Sequence, residues 1–354
     1  MLNKNKENMK MGLIDFKKKK YHCIDLFKLL MAILVIIMHT EPFKYLSINA
    51  TLSTFLSGFL SIAVPFFFLS SSFFLFAKFD DDFLSNGNFQ ILKRYLVRLV
   101  KLYIIWQLIY LPIEICAHIN NGLSFWEKVF RYAMMLLFNG GGSFSLPLWY
   151  LLGSIFCAGI IYLAMKLKAK EWTILLICIM LYIISKSMSY LVYNGESFGG
   201  ILFSLRNLIV ITFQHGRVLG GFLYFGVGLI CARKINKILS PLFNVFIFIA
   251  LYLASCLLSK YTALTGIITS LYAIIIFLFA LGIQLNDNSL YKFVRKQSTV
   301  IYFIHMIFLF FYVIIFGSRY GLLAFTWVIC LSVLFSIIIV KYINKSKVLT
   351  FLFG

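Results

Sequence analysis

The chain has 354 residues, of which 62% are hydrophobic and only 13% charged. A soluble domain carries about a quarter charged residues and about 45–50% apolar ones, so one water-facing core cannot hide this much apolar surface. That excludes a water-soluble enzyme, a disordered protein and a small disulfide scaffold, and leaves an all-α polytopic membrane bundle. Lys and Arg total 33 against 12 Asp and Glu, a net charge of +21. In a soluble protein this surplus would suggest nucleic acid. In a membrane protein it need not, because cytoplasmic loops collect Lys and Arg; no nucleic-acid partner is expected.

Residues 1–20 form a basic tail ending in Lys17–Lys20. No small-residue cleavage site follows the next apolar stretch, so a retained first helix is expected. Apolar runs of roughly 17–25 residues cross a bilayer as helices. Ten are present: 24–42, 55–77, 95–117, 146–165, 172–192, 217–232, 241–259, 263–285, 299–316 and 322–340. Two shorter amphipathic runs, 126–138 and 201–213, are expected at the interface or as re-entrant segments. The runs show no alternation, so no β-barrel is predicted. With the N-terminus inside, the inner segments hold 24 Lys/Arg and the outer segments seven. That asymmetry predicts ten spans with both termini cytoplasmic. One membrane domain, 21–345, is expected between the basic tail and a second cytoplasmic tail, 346–354, with no internal repeat. The seven cysteines (23, 116, 157, 178, 231, 256 and 330) include no CxxC. They read as buried thiols, with no disulfide frame and no metal site.

Ionisable groups within spans are costly and usually face the bundle interior. In the first helix Asp25, Lys28, Ala32, Val35 and His39 are spaced 3, 4, 3 and 4, which puts them on one face. Lys28 and His39 lie about 16 Å apart along the axis. The stripe thus runs from the cytoplasmic surface to the outer half of the membrane. The alternative is a local Asp25–Lys28 pair with His39 at the far rim. In the second helix, Val64-Pro65 precedes Phe66–Phe68, Leu69 and Ser70–Ser72. Pro65 can kink the helix. The serines fit a close-packing seam better than a nucleophile.

The inner loop before the third helix carries Arg94, Arg98 and Lys101, spaced i, i+4, i+7. Guanidinium forks suit phosphate, as a coenzyme A thioester would present; anionic lipid headgroups are an equal alternative. On the outer side, Asn139-Gly-Gly-Gly142 and Pro147-Leu148-Trp149-Tyr150 read as a mobile loop entering the fourth helix. Arg217 stands at a helix start, where the dipole disfavours a cation, so an anionic or carbonyl partner is expected. Ser298, Tyr302 and His305 share a face of the ninth helix; His305 reads equally as a packing residue or a site residue.

Taken in order, these segments resemble the acyltransferase-3 family of integral membrane proteins. The residues that carry the likeness are Ile24 through Lys28 to His39, Val64–Phe68 with Ser70–Phe73, Arg94/Arg98, Leu148-Trp149, Arg217 with Phe222 and Gly226, and Ser298 through Tyr302 to His305. The Val-Pro-Phe-Phe-Phe run is also similar to the membrane domain of the serine racemases of vancomycin resistance; no racemase domain is expected here. The resemblance implies transfer of an acyl group, commonly acetyl from acetyl-CoA, to a hydroxyl of a cell-envelope carbohydrate or related acceptor. It implies no bound cofactor, a bacterial cytoplasmic-membrane location, and a partner protein for any second transfer step outside. His39 matches the family's catalytic histidine, and Arg94 and Arg98 match arginines that handle the donor. Two positions depart: Lys28 stands where the family has Arg, and Ser71-Ser72-Phe73 where it has Ser-Gly-Phe.

The resulting expectation has donor phosphates on Arg94, Arg98 and Lys101. The acyl-pantetheine arm lies along the stripe of the first helix, and His39 is the general base. Asp25 and Lys28 support the stripe. Ser72, Trp149, Arg217, Tyr302 and His305 are further site candidates. Two other classes compete: a transporter or binding module for a small solute such as serine, and a non-catalytic envelope scaffold.

Overall fold

The computed structural model describes residues 20–45, 56–118, 122, 124–194, 199–212, 216–234, 245–247, 249–250 and 262–353. Among these there is no strand. The helices are α1 (His22–Thr40), α2 (Ala63–Phe76), α3 (Asn86–His118), α4 (Phe125–Met134), α5 (Trp149–Lys166), α6 (Glu171–Asn194), α7 (Gly200–Thr212), α8 (Arg217–Arg233), α9 (Thr262–Gly282), α10 (Ser289–Phe316), α11 (Leu322–Tyr342) and α12 (Lys347–Phe353). Seven helical segments among the described residues are long and apolar enough to cross a membrane: those holding α1, α2, α3, α5, α6, α10 and α11. Two further expected spans are helical, α8 with 17 residues and α9 with 21. The expected span 241–259 lies almost wholly outside the described residues.

Helices α8 and α10 are the hubs. The first packs against α2, α5 and α6; the second against α1 and α11. Helix α2 joins the halves through α1, α8 and α9. Its composition explains this role, since Phe66, Phe68, Phe73 and Phe76 are all fully buried. The phenylalanines of this helix therefore fill the centre, while α6, α7 and α11 turn Leu, Ile and Phe outward, as a lipid-facing rim does. Pro65 acts where it was expected. Its ring cannot coexist with a regular bond to the carbonyl of Ser61, and the helix beginning near Leu56 breaks into a turn at Ser61–Ile62.

The serine run is a seam. Ser72 is buried, and its Oγ donates to the carbonyl of Phe225 at 2.6 Å. A Cβ on Gly228 would lie 2.6 Å from that oxygen, so α8 accommodates the serine by having no side chain there. At the end of the bundle where α1 begins, which corresponds to the expected inner side and is termed the inner end, Arg233 ties α8 to Glu171 of α6 at 2.7 Å and to the carbonyls of Asp80 and Asp81, both at 2.8 Å.

Two expectations change and two gain detail. The basic segment from Lys93 to Lys101 is not a loop but lies within α3. Within the expected second tail, 346–354, helix α12 sets Phe353 against Trp106 at 5.5 Å and Phe303 at 6.4 Å. Cys116 and Cys330 are exposed rather than buried, whereas Cys23, Cys157, Cys178 and Cys231 are buried. The amphipathic runs are helices, but α4 buries none of its own residues and starts on a Ser124–Glu127 capping box.

Candidate active site

The stripe of α1 faces inward, and its middle is packed shut. Ala32 and Val35 are 0% and 1% exposed, which leaves no channel along that face. Asp25 and Lys28 do not form the local pair. Asp25 is buried and faces Arg295 of α10 at 4.0 Å, while the Lys28 ammonium sits 4.8 Å above the ring of Phe74. His39, one residue from the end of α1, keeps accessible surface although it lies inside the bundle.

His39 meets His305. The two rings stack with centroids 5.6 Å apart and 23° between planes. His305 is 0% exposed. Its Nδ1 lies 3.1 Å from the carbonyl of Ile301, so Nδ1 carries the proton and donates it there. Nε2 is then left with a lone pair, buried and without a partner. One turn earlier on α10, Tyr302 donates to the carbonyl of Pro147 at 2.7 Å. Ser298 only closes on its own helix, 2.8 Å from the carbonyl of Arg295.

Two guanidinium groups complete the electrostatic surroundings of His39: Arg217 and Arg319. The expected anionic or carbonyl partner of Arg217 is absent among the described residues. Its Nε and Nη2 are buried and unbonded, and the group lies 5.8 Å from the centre of the Trp149 ring. A cation–π contact replaces the ion pair and leaves the N–H fork free. Arg319 is held in the α10–α11 turn, which is joined to α1 by a bond from Gly321 N–H to the carbonyl of Thr40 at 2.9 Å. Its Nη2 donates to the carbonyl of Ser143 at 3.2 Å, and burial pushes the guanidinium below its ordinary value.

The triple-glycine segment is pinned, not mobile. Glu114 of α3, 4% exposed, accepts from the backbone N–H groups of Ser143 (3.1 Å), Phe144 (2.8 Å) and Ser145 (2.7 Å), and from the Ser145 hydroxyl at 2.8 Å. Gln107 donates to the carbonyl of Gly140 at 2.9 Å, and Tyr103 to that of Leu136 at 2.7 Å. Tyr110 bonds the carbonyl of Phe303 at 2.6 Å. Tyr103, Gln107, Tyr110 and Glu114 are spaced 4, 3 and 4, one face of α3. A Cβ on Gly142 would meet the Glu114 carboxylate at 2.5 Å, so only glycine lets the backbone close over it. The spacing on α3 was visible in the sequence, but a lone glutamate in an apolar run gives no hint of what it binds. Arg319 was visible only as one more outer charge.

At the inner end, Arg94, Arg98 and Lys101 line one groove of about 560 Å³, with Lys93, Gln90 and Phe351 of α12. All three cations are exposed. Tyr95, beside the groove, lies within the electrostatic reach of Arg98 and against Ser71. Ser71 Oγ is 2.5 Å from the hydroxyl of Tyr150, whose ring is 5.9 Å from that of Tyr302. Tyr95, Ser71 and Tyr150 each keep accessible surface among buried neighbours. They form a short polar chain inside the bundle that starts near Arg98 and ends at Tyr150, next to Trp149 in sequence. Among the described residues no cluster of His, Cys, Asp or Glu could hold a metal ion.

An all-α membrane bundle with an inward-facing imidazole pair at one end and a basic groove at the other defines a class of integral membrane protein. Residues 21–341 match the acyltransferase-3 family, described as an acyltransferase domain. The chain belongs to that family. It is also similar to two amino-acid racemases of Enterococcus faecalis. One is 27% identical over 263 residues, 69% of this chain and 34% of the racemase. The other is 28% identical over 195 residues, 55% of this chain and 24% of the racemase. These matches thus cover only about a third and a quarter of the relatives' own length. No solved structure matches the chain.

Proposed function

We propose that the protein is a multi-pass O-acyltransferase of a bacterial cell membrane. It takes an acyl group, acetyl being the commonest in the family, from a cytoplasmic acyl-CoA and esterifies a hydroxyl of a cell-envelope carbohydrate or related acceptor. The observation that carries the reading is the pairing of an accessible His39 with a fixed His305, flanked by an unpaired arginine fork. The donor's phosphates bind Arg94, Arg98 and Lys101. Its arm follows Tyr95, Ser71 and Tyr150 rather than the closed stripe of α1.

His39 accepts the proton of the acceptor hydroxyl as the oxygen bonds the acyl carbon. The carbon–sulfur bond then breaks, and coenzyme A leaves as a thiolate that takes up a proton. An imidazole with a reference pKa of about 6.5 is largely unprotonated at pH 7 and suits this work. The free N–H groups of Arg217 face the negative charge that grows on the acyl oxygen, the term that usually dominates acyl transfer. His305, with its proton committed to Ile301, holds the His39 ring by stacking.

The test is acyl-CoA turnover by purified protein in membranes, read as released coenzyme A and as ester on the acceptor. His39→Ala removes a general base, worth roughly 10²–10⁴-fold, and is expected to lose transfer while the protein remains inserted and folded. Full activity in that variant removes His39 from the mechanism. The relatives' name favours a second reading, a site that binds or moves an amino acid. Uptake of serine into proteoliposomes without acyl-CoA consumption would establish it instead.

A further inference from the structure

At the outer end a second cavity, of about 870 Å³, opens between α4, the pinned glycine segment and the α10–α11 turn. That is the size of a small-ligand site. Trp126 and Phe130 form one wall, and both are largely exposed, at 76% and 56%. Arg131 and Arg319 bring two cations. Among the described residues the lining has one carboxylate, Glu127, which is engaged by the backbone N–H and hydroxyl of Ser124, both at 2.9 Å. That local use holds its carboxyl below the ordinary range, chiefly through the Ser124 bonds. The lining also contains Asn139, 5% exposed, whose Oδ1 is buried and has no hydrogen-bond partner. A bare amide oxygen requires a donor, and a buried one left unmade is costly. The cavity therefore offers two guanidinium groups against one lining carboxylate, an aromatic platform and, at its wall, a buried amide oxygen without a partner. Arg319 belongs both to its lining and to the charges that act on His39, so this one side chain links the cavity to the imidazole pair.

We infer that this cavity is the acceptor site and that it selects hydroxyl compounds bearing an anionic group, phosphate or carboxylate, close to the hydroxyl that is acylated. Arg131 and Arg319 hold the anion, and the Asn139 amide oxygen takes a hydrogen bond from a second hydroxyl. The inference rests on the acyltransfer reading above and adds the acceptor's charge to it.

The test uses the full chain in nanodiscs with acetyl-CoA and three probes: glycerol, glycerate and glycerol 3-phosphate. The expected kcat/KM for at least one anionic probe exceeds that for glycerol by roughly tenfold or more, the weight of one hydrogen bond to a charged group. The better of the two anionic probes identifies carboxylate or phosphate as the source. Arg319→Gln and Arg131→Gln should each reduce the anionic-to-neutral ratio. Arg131 stands on the exposed helix α4, so its replacement does not endanger the fold. Equal use of the three probes, or a ratio unchanged in Arg131→Gln, overturns the inference and leaves acyl transfer intact. If no probe is acylated, thermal melting with each compound decides. Stabilisation by the anionic probes alone, lost in Arg131→Gln, supports the anion site while acyl transfer fails; equal melting temperatures sink both.

Discussion

At the outer end, Glu114 gathers four hydrogen bonds from one backbone turn, and each glycine of that turn lies where a side chain would collide. At the inner end, Arg94, Arg98 and Lys101 project from one helix into an open groove, and none has an ion pair among the described residues. The first arrangement fixes positions to a fraction of an ångström. The second supplies charge and leaves geometry to the ligand. The difference matches the tasks proposed for them. Bond-making requires an imidazole and a guanidinium held in register before the acceptor arrives. Holding a phosphate requires mainly cations with few neighbours to move.

The sharpest way to break this contrast is Glu114→Ala. It leaves three backbone N–H groups and a hydroxyl buried with no acceptor, and frees the segment that seats Arg319, Pro147 and Trp149. Orphaning buried donors costs about 1–3 kcal/mol each. Relaxation recovers part of this, so a net loss on the order of 3 kcal/mol is expected. Melting in nanodiscs should fall by several degrees, and acyl transfer should fall with it. A variant with unchanged melting and turnover would show that the outer end is not prebuilt.

The inner end should respond in the opposite way. Arg94→Gln with Arg98→Gln removes exposed charges that support no packing. Melting should stay within a degree or two. The KM for acyl-CoA should rise by roughly tenfold or more, while kcat changes little. A fall in kcat with unchanged KM would mean that these arginines act on the reaction and not on the donor, and would remove the contrast between the two ends.

The sequence made one kind of information plain and hid another. Ten apolar runs and the 3, 4, 3, 4 spacing on α1 are local properties, because helical period and membrane thickness act on consecutive residues. The inward face of α1 follows from them, and so does the shared groove of Arg94, Arg98 and Lys101. The meeting of His39 with His305, 266 positions apart, depends on which helices pack together and could not be read from spacing alone. The same holds for Arg217. Its position at a helix start argues for a counter-charge, but the burial that matters comes from Trp149 on another helix. The triple glycine illustrates the most misleading signal. Glycine permits motion where nothing surrounds it and permits closure where everything does, and only the neighbours Glu114 and Trp149 tell which.

The smallest expected effect sharpens the comparison from its exposed side. Asp287, in the turn between α9 and α10, forms a salt bridge with Lys20 and lies 3.0 Å from His22 Nε2. The hydrogen bond from Lys20, followed by the charges of Lys20 and His22, holds its carboxyl below the ordinary value of 3.8. A carboxyl depressed in the folded state binds fewer protons there than in the unfolded chain. Its contribution is therefore complete above pH 3.8 and is lost as pH falls further through the folded value. The pair is more than half exposed, so solvent screens it and the acid loss is small. Melting curves between pH 3 and 5 should show a slight acid-side decline that Asp287→Asn removes. Added salt should shrink that decline further, because exposed charges are screened within about 10 Å at 0.1 M. A decline that survives the substitution would place the acid-sensitive group elsewhere, with buried Asp25 and its Arg295 neighbour the next contact to test.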